Sequence, residues 1–454
     1  MTTNRTSFLF KGTLLSCGLF AGLASVFAQP ALLSEAHEKS KFAVIDPAYD
    51  PVSQTPAPDI KTNAAPWLYG EAELECWRLQ VLRDQAQAAK LKVNYPGAFH
   101  TSSPRAAFQL ALDAGQVPPD SFSLRAVGDV VVSLAERELY RGAASESPHR
   151  VALPKDAAAG GQTLQVTLST RGEPPALVIE DGPFATGLAP WRWSDDGADF
   201  AEPQAFPQMF SGAPPHRVEQ GEVVLKPVAR EGELFDMGRE VFGRISFACS
   251  SQPSLFVGES QAEAGNENPH HFEQSPALKA HGDGTWTSEH PLAFRYFRIT
   301  GGESSDVQCR ALFSPAQYRG AFACSDERLT RVWMTSAYTL RLCRHDFLID
   351  GVKRDRLPWV GDLVMSLMAN AYTFGDGEIV RRSLVALGRA GIEQAHLNGI
   401  VDYSMWWIVA QDCYQTYYGD EAHLRREWPR IKDTLERLEA RCDAEGLYRT
   451  APKD

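Results

Sequence analysis

Cysteine is scarce in this chain: eight in 454 residues, and no two are arranged as Cys-x-x-Cys. That excludes a scaffold built on disulfides and a zinc site of paired cysteines, and neither a metal nor a cofactor is expected. Positive charge is also short. Lys and Arg number 45 against 57 Asp and Glu, for a net charge of -12. Nucleic acid and anionic membrane are thereby excluded as the main partner, and a soluble protein acting on a neutral ligand fits. Long hydrophobic runs are missing as well. The longest, Gly12 to Ala28, is short for a membrane span, and no basic stop-transfer cluster follows it. No internal repeat stands out.

What is present begins with that run. Arg5 and Lys11 precede it, and it closes on Val26-Phe27-Ala28 before Gln29-Pro30. A basic start, an apolar middle and small residues before a turn make an export signal, with cleavage expected after Ala28. The mature protein is then expected in the periplasm or outside the cell, free of the membrane. Cys17 leaves with the signal. The seven remaining cysteines are an odd number, and at their spacing they read as buried apolar residues with room for one bridge.

The rest divides by its local pattern. Residues 29–65, rich in Pro, Ala, Ser and Asp, read as a flexible leader. From 66 to 212 the pattern is of strand length, as in Val130-Val-Val-Ser-Leu134 and Thr163-Leu-Gln-Val-Thr-Leu168. Glycine and proline turns punctuate it, which predicts a β-sandwich. From 213 to 318 the pattern repeats, in Glu222-Val-Val-Leu-Lys226, Gly243-Arg-Ile-Ser-Phe-Ala248 and Phe294-Arg-Tyr-Phe-Arg-Ile299, and a second sandwich is expected. The register of the last strand is not fixed by its alternation. From 319 to 454 the pattern is helical. Ser325 is the expected N-cap of a first helix that buries Leu329, Val332, Trp333, Ser336 and Leu340. Four more helices are expected at about 361–374, 377–391, 403–418 and 421–443. Asp376 and Asp420 would serve as N-caps, and Leu424, Trp428, Ile431, Leu435 and Leu438 would form the last apolar stripe.

Between the first two helices stands Asp346-Phe-Leu-Ile-Asp350-Gly-Val-Lys-Arg-Asp355-Arg-Leu-Pro-Trp359-Val-Gly-Asp362, four carboxylates within seventeen residues. Asp-Gly marks a turn, and Pro358 favours a helix start nearby. Were 355–362 helical throughout, Asp355 and Asp362 would share a face; Pro358 argues against that. Glycoside hydrolysis needs one carboxylic acid to protonate the leaving oxygen and a carboxylate to activate water or attack the sugar. Clustered acids raise one another's pKa, Arg354 and Arg356 oppose this, and Trp359 could stack on a sugar face. A solvated charged loop capping a helix is the alternative that spacing leaves open.

The chain resembles family 78 glycoside hydrolases, the bacterial α-L-rhamnosidases and their relatives. The resemblance rests on Cys324-Ser-Asp-Glu327, Tyr338-Thr-Leu-Arg-Leu-Cys343, the acidic loop, and Asn398-Gly-Ile-Val-Asp402-Tyr-Ser-Met-Trp-Trp407. Upstream it extends to Phe235-Asp-Met-Gly-Arg-Glu240, Gly258-Glu-Ser260 and Phe294-Arg-Tyr-Phe-Arg298. It implies a multidomain β + α fold: two β-sandwich modules, the first carbohydrate-binding-like, then an (α/α)6 barrel of six hairpins. It implies an inverting hydrolase of terminal α-L-rhamnosyl or related residues whose partner is a rhamnose-containing glycan or glycoside. Asp355 falls at the general-acid position, Asp350 and Asp362 at sugar-hydroxyl positions, and Arg354 and Trp359 at a binding arginine and a stacking tryptophan. The best-known members carry Glu where this chain has Asp355. Asp402, Tyr403, Trp406 and Trp407 are candidates for an aromatic sugar platform, with one of the two tryptophans expected in the core. His345, His396, Trp333, Trp191 and Trp193 read as packing residues.

Twelve helices are implied and five are legible, so the expectation is the N-terminal part of a barrel, with the general base unassigned. Two further readings stay open: a non-catalytic carbohydrate-binding protein with a degenerate helical domain, and a helical-barrel lyase or uronide hydrolase, which would use a Tyr or His base.

Overall fold

The structure, a computed structural model, describes residues 64–89, 103–113, 118–157, 161–208, 212–217, 221–268, 274–313, 316, 318–389 and 396–450. The expected export signal and all but the last two residues of the leader lie outside the described residues.

Two five-stranded antiparallel sheets form first. One runs Gln204–Phe206, Trp67–Tyr69, Ala176–Val178, Ser121–Val127, His149–Ala152. The other runs Arg137–Gly142, Asp129–Leu134, Thr163–Ser169, Arg105–Ala111, Arg192–Ser194. Alternation decides which side chains go inside. Leu164, Val166 and Leu168 are buried while their neighbours Thr163, Gln165 and Thr167 are not. They meet Leu124, Val151 and Leu177 of the facing sheet in one core, which also holds Trp191.

A helix not expected from the sequence interrupts this all-β stretch: α1, Glu73–Ala88. Its period was hidden because it buries charge. Glu73, Glu75 and Arg78 are interior, and Glu75 pairs with Arg381 at 3.2 Å. A helix whose inner face carries ion pairs lacks the apolar stripe by which helices are recognised.

The second β region is one continuous eight-stranded sheet rather than two separate ones. Its spine is the long strand Leu234–Cys249. The first part of this strand pairs with Leu292–Thr300, and its second part with Ser304–Phe313 and Thr285–Ser288. The core of Phe235, Ile245, Phe247, Phe294, Phe297 and Ile299 lies within the fold of the sheet. The register left open by the sequence is settled by a bulge. Asp236 faces Tyr296 and Val241 faces Phe294, so Met237 to Glu240 project out of the ladder. Gly238, at φ 79°, makes that excursion possible. A single-turn helix, α2 (Gln261–Ala264), is capped by Ser260 and lies nearby.

Five consecutive helices follow: α3 Glu327–Leu342, α4 Val360–Thr373, α5 Gly377–Gly388, α6 Val401–Tyr418 and α7 Glu421–Glu439. Asp376 and Asp420 cap α5 and α7 as expected. The cap of α3 is Asp326 and not Ser325; its carboxylate accepts from the Arg328 backbone N–H. The buried face of α3 is also turned from the expected one. It carries Thr330, Met334, Ala337 and Leu340, whereas Leu329 and Val332 are exposed and Trp333 is half-buried. Trp428 of α7 is likewise exposed, while Ile431 and Leu438 are buried. The helical core joins Val360, Leu363 and Leu367 of α4 to Trp407, Ala410 and Cys413 of α6, with Leu384 of α5 behind them.

All seven described cysteines are free thiols, five of them buried as expected, and no bridge forms among them. No helix among the described residues is long and apolar enough to cross a membrane.

Candidate active site

The loop from Cys343 to Trp359 joins α3 to α4, and several of its charged side chains tie it to other elements. Arg344 is buried and donates to the Asn370 Oδ1 at 2.6 Å and to Asp376 at 2.7 Å, tying the loop base to the next hairpin. Asp346 is engaged by Arg78 of α1 at 2.5 Å, which makes it a structural anchor. Asp350 closes the loop on itself: its backbone N–H donates to the Leu357 carbonyl at 3.1 Å, and its carboxylate accepts from the Leu357 N–H at 3.2 Å. Residues 355–359 are not helical; α4 starts at Val360, whose N–H donates to the Asn398 Oδ1 at 2.9 Å. Helix periodicity is therefore not what relates Asp355 to Asp362.

Asp355 and Arg356 both adopt left-handed backbone, φ 59° and 58°. For residues with a Cβ this is unfavourable by roughly 1–2 kcal/mol each. The Arg356 side chain supplies the compensation. It is buried, donates to the Val352 carbonyl at 2.6 Å, to the Pro291 carbonyl at 2.9 Å and to Gln274 Oε1 at 2.8 Å, and lies 4.9 Å from the Phe242 ring centroid. Pro291, Gln274 and Phe242 belong to the second β region. Lys353 adds ion pairs to Glu259 at 3.1 Å and Glu263 at 2.7 Å. The acidic loop is thus bolted to the sheet that precedes the helices.

Between that sheet, α3 and the loop lies an open cleft of ≈ 1090 Å³. Asp350 and Arg354 line it with Glu240, Arg295, Tyr338 and Lys353. Burial pushes the Asp350 carboxyl up to about 7; the Leu357 N–H opposes this and the Asp355 and Asp362 charges reinforce it. Asp362 stands at the solvent edge of α4, where the surrounding protein still displaces enough water to raise its pKa, again with Asp355 adding to the effect. The Tyr403 hydroxyl is raised by desolvation and by Asp362, Asp402 and Asp350. Its ring meets Trp359 edge-on, centroids 6.4 Å apart. The fold therefore gathers Asp350, Asp355, Asp362, Asp402, Tyr403 and Trp359 into one neighbourhood, and Arg354 lies 3.7 Å from Asp355.

One of the sequence candidates falls elsewhere. Trp407 is a core residue, 1% exposed, whose indole N–H donates to the Leu384 carbonyl at 3.0 Å; it cannot present a face to a sugar. Trp406, the preceding residue of α6, is 42% exposed. His345 is fully buried against Phe242 and held neutral, its pKa pushed down to about 4 by burial. Two residues have roles that sequence reasoning did not assign. Asn398, itself at φ 54°, caps α4 from a neighbouring turn. Glu240 sits in the bulge and lines the cleft; the glycine two residues before it, inside a strand pattern, was the available signal for a bulge. Among the described residues no cluster of His, Cys, Asp and Glu could hold a metal ion.

Residues 317–452 match the sequence model of the bacterial alpha-L-rhamnosidase 6 hairpin glycosidase domain. No curated protein matches the chain. Solved structures similar to it include a rhamnosidase from Klebsiella oxytoca with rhamnose bound, 22% identical, covering 55% of each chain at a TM-score of 0.40. A GH78 family rhamnosidase of Bacillus sp. GL1 is 18% identical over 88% of this chain and 50% of its own, TM-score 0.42. The alpha-L-rhamnosidase of Streptomyces avermitilis, complexed with L-rhamnose, is 17% identical over 75% and 42%, TM-score 0.40. This chain spans about half the length of these structures. Over residues 317–452 the chain is thus similar in sequence to the six-hairpin glycosidase domain of bacterial alpha-L-rhamnosidases.

Proposed function

We propose that this chain forms one side of the active site of an exported, inverting glycoside hydrolase that removes terminal α-L-rhamnosyl or related residues. The observation that carries the reading is the acidic loop. It brings Asp350, Asp355 and Asp362 into mutual electrostatic range, and Asp350 is pushed up to about 7 at the wall of a cleft. A cleft wall that keeps the Asp350 carboxyl protonated toward neutrality lets it donate to a sugar hydroxyl, and a second carboxyl of the same loop is at hand as the acid that glycoside hydrolysis requires.

In this reading Asp355 donates the proton to the departing glycosidic oxygen. Asp350 and Asp362 hydrogen-bond sugar hydroxyls, Asp350 as a donor when protonated. Trp359 and Tyr403 offer aromatic surface, with Asp402 and Trp406 at the margin. An Asp acid is one methylene shorter than Glu, which retracts the proton by about 1.5 Å. The left-handed turn at Asp355 sets where the shorter side chain starts. Inversion further needs a carboxylate that activates water about 6.5–9.5 Å from the acid; no described residue is assigned to that role.

The test is hydrolysis of an aryl α-L-rhamnoside by the purified protein. Asp355→Asn is expected to lower kcat by about 10²–10⁴-fold with little change in KM. Unchanged turnover removes Asp355 from the acid role. Sugar binding without any turnover favours a carbohydrate-binding protein, and products bearing an ultraviolet-absorbing double bond favour a lyase.

A further inference from the structure

We propose that Glu240, carried by the second β region, is a sugar-hydroxyl ligand of the cleft, so that the sheet supplies part of the pocket as well as its support. This rests on the reading of the cleft as a carbohydrate site.

Three independent observations carry it. The first is backbone geometry. Met237 to Glu240 leave the ladder between the Asp236–Tyr296 and Val241–Phe294 pairs, and Gly238, Arg239 and Glu240 all line the cleft. Bulges re-aim side chains that a regular strand would bury or expose in strict alternation. This one is pinned. Asp236 accepts from the Gly238 N–H at 2.7 Å and is held by Arg295 Nε at 3.1 Å, while Tyr338 of α3 donates to the Glu240 carbonyl at 2.5 Å.

The second is an unmet hydrogen bond. The Glu240 Oε1 is buried and finds no partner among the described residues. A buried carboxyl oxygen left unsatisfied is costly, and native proteins keep such groups where a ligand or water completes them. Two of the nearby cations are already committed: Lys353 to Glu259 and Glu263, and Arg295 to Asp236.

The third is charge state. Burial, with the Glu259 charge adding and Lys353 opposing, pushes the Glu240 carboxyl up to about 8; Glu263 also raises it and Arg295 lowers it. Glu240 is thus a neutral acid at physiological pH, able both to donate an O–H and to accept. That suits a neutral pyranose, whose hydroxyls need both, better than an anionic ligand. Asp350 lines the same cleft from the acidic loop.

L-rhamnose titrated into the whole chain at pH 6 by calorimetry or ligand-observed NMR is the test, with thermal melts alongside. Glu240→Ala is expected to weaken binding about tenfold or more, with an equal or higher Tm because an unsatisfied carboxyl is removed. Glu240→Gln, which keeps a donor and an acceptor, should stay within about threefold of the parent. A merely structural Glu240 would lower Tm and leave Kd unchanged. If Glu240→Ala binds like the parent while Asp350→Ala loses binding, the Glu240 assignment falls and the carbohydrate site stands. If the parent chain binds no L-rhamnose, both fall.

Discussion

Asp350 carries two kinds of interaction that pull in opposite directions. Its hydrogen bond from Leu357 favours the carboxylate, and its burial disfavours it; burial prevails and its pKa rises to about 7. The consequence for stability has a definite sign. A carboxyl whose native pKa exceeds its unfolded value holds its proton longer in the folded state. The stability this brings is complete below about pH 4 and is lost as pH rises through about 7. Asp350→Asn cannot ionise, so its Tm should change less than the parent's between pH 5 and pH 8. Parallel melting curves of the two proteins over that range would show that Asp350 is not buried in the way described. The sequence made Asp350, Asp355 and Asp362 legible as a group because their spacing and neighbours are local facts. It did not reveal which of them loses contact with water, because that is decided by α3 and a sheet strand more than a hundred residues upstream.

At the scale of the element, the acidic loop is held more by what it is bonded to than by its own propensity. Two successive left-handed residues persist because Arg356 makes three hydrogen bonds, two of them to connecting segments of the preceding β region. Arg356→Ala is expected to destabilise by about 2–4 kcal/mol and to raise amide exchange across 350–357. Arg356→Lys should fall between, because an ammonium cannot span the three acceptors in one plane. Exchange in 350–357 that matches the parent would mean the loop holds its own shape. The five C-terminal helices were readable from period and caps, since Asp376, Asp420 and the apolar steps of α4 to α6 are local signals. The face of α3 was not. Leu329 and Val332 were expected inside by their chemistry, but Thr330 and Met334 face the neighbours instead. Helix α1 escaped altogether because its inner face is charged, and a paired Glu75 looks in sequence like a solvated one.

Across the whole molecule, the N-terminal β region and the helices are joined by ion pairs buried at their contact. Glu427 of α7 and Arg389 are almost fully buried and paired at 2.7 Å, and Arg389 reaches Glu71 beside α1 at 3.1 Å. Burial alone would raise the Glu427 pKa, but the Arg389 hydrogen bond and charge outweigh it and hold the carboxyl below the ordinary glutamate value. The stability this pair contributes is present above about pH 4.3 and is lost as pH falls through the lower native pKa. Glu427→Gln leaves a buried guanidinium short of its counter-charge and is expected to destabilise by about 3–5 kcal/mol, measured by urea unfolding at pH 7. A loss under 1 kcal/mol would mean water reaches the pair. No sequence pattern announces such a link, because Glu71 stands 318 residues before Arg389 and meets it only after both regions have folded.

The Arg356 and Lys353 anchors bear on how this protein can be handled. The point near Ala316 where strand pattern gives way to helix pattern is the natural place to cut the chain or to graft a relative's front half. It is the wrong place. A helical piece begun there would keep every carboxylate of the acidic loop and lose Pro291, Gln274, Glu259 and Glu263, the partners that hold the loop in shape. A chimera would inherit the same defect unless the donor sheet offered a carbonyl and an amide at those two positions. The smallest transferable unit of this site therefore starts no later than the strand Leu234–Cys249.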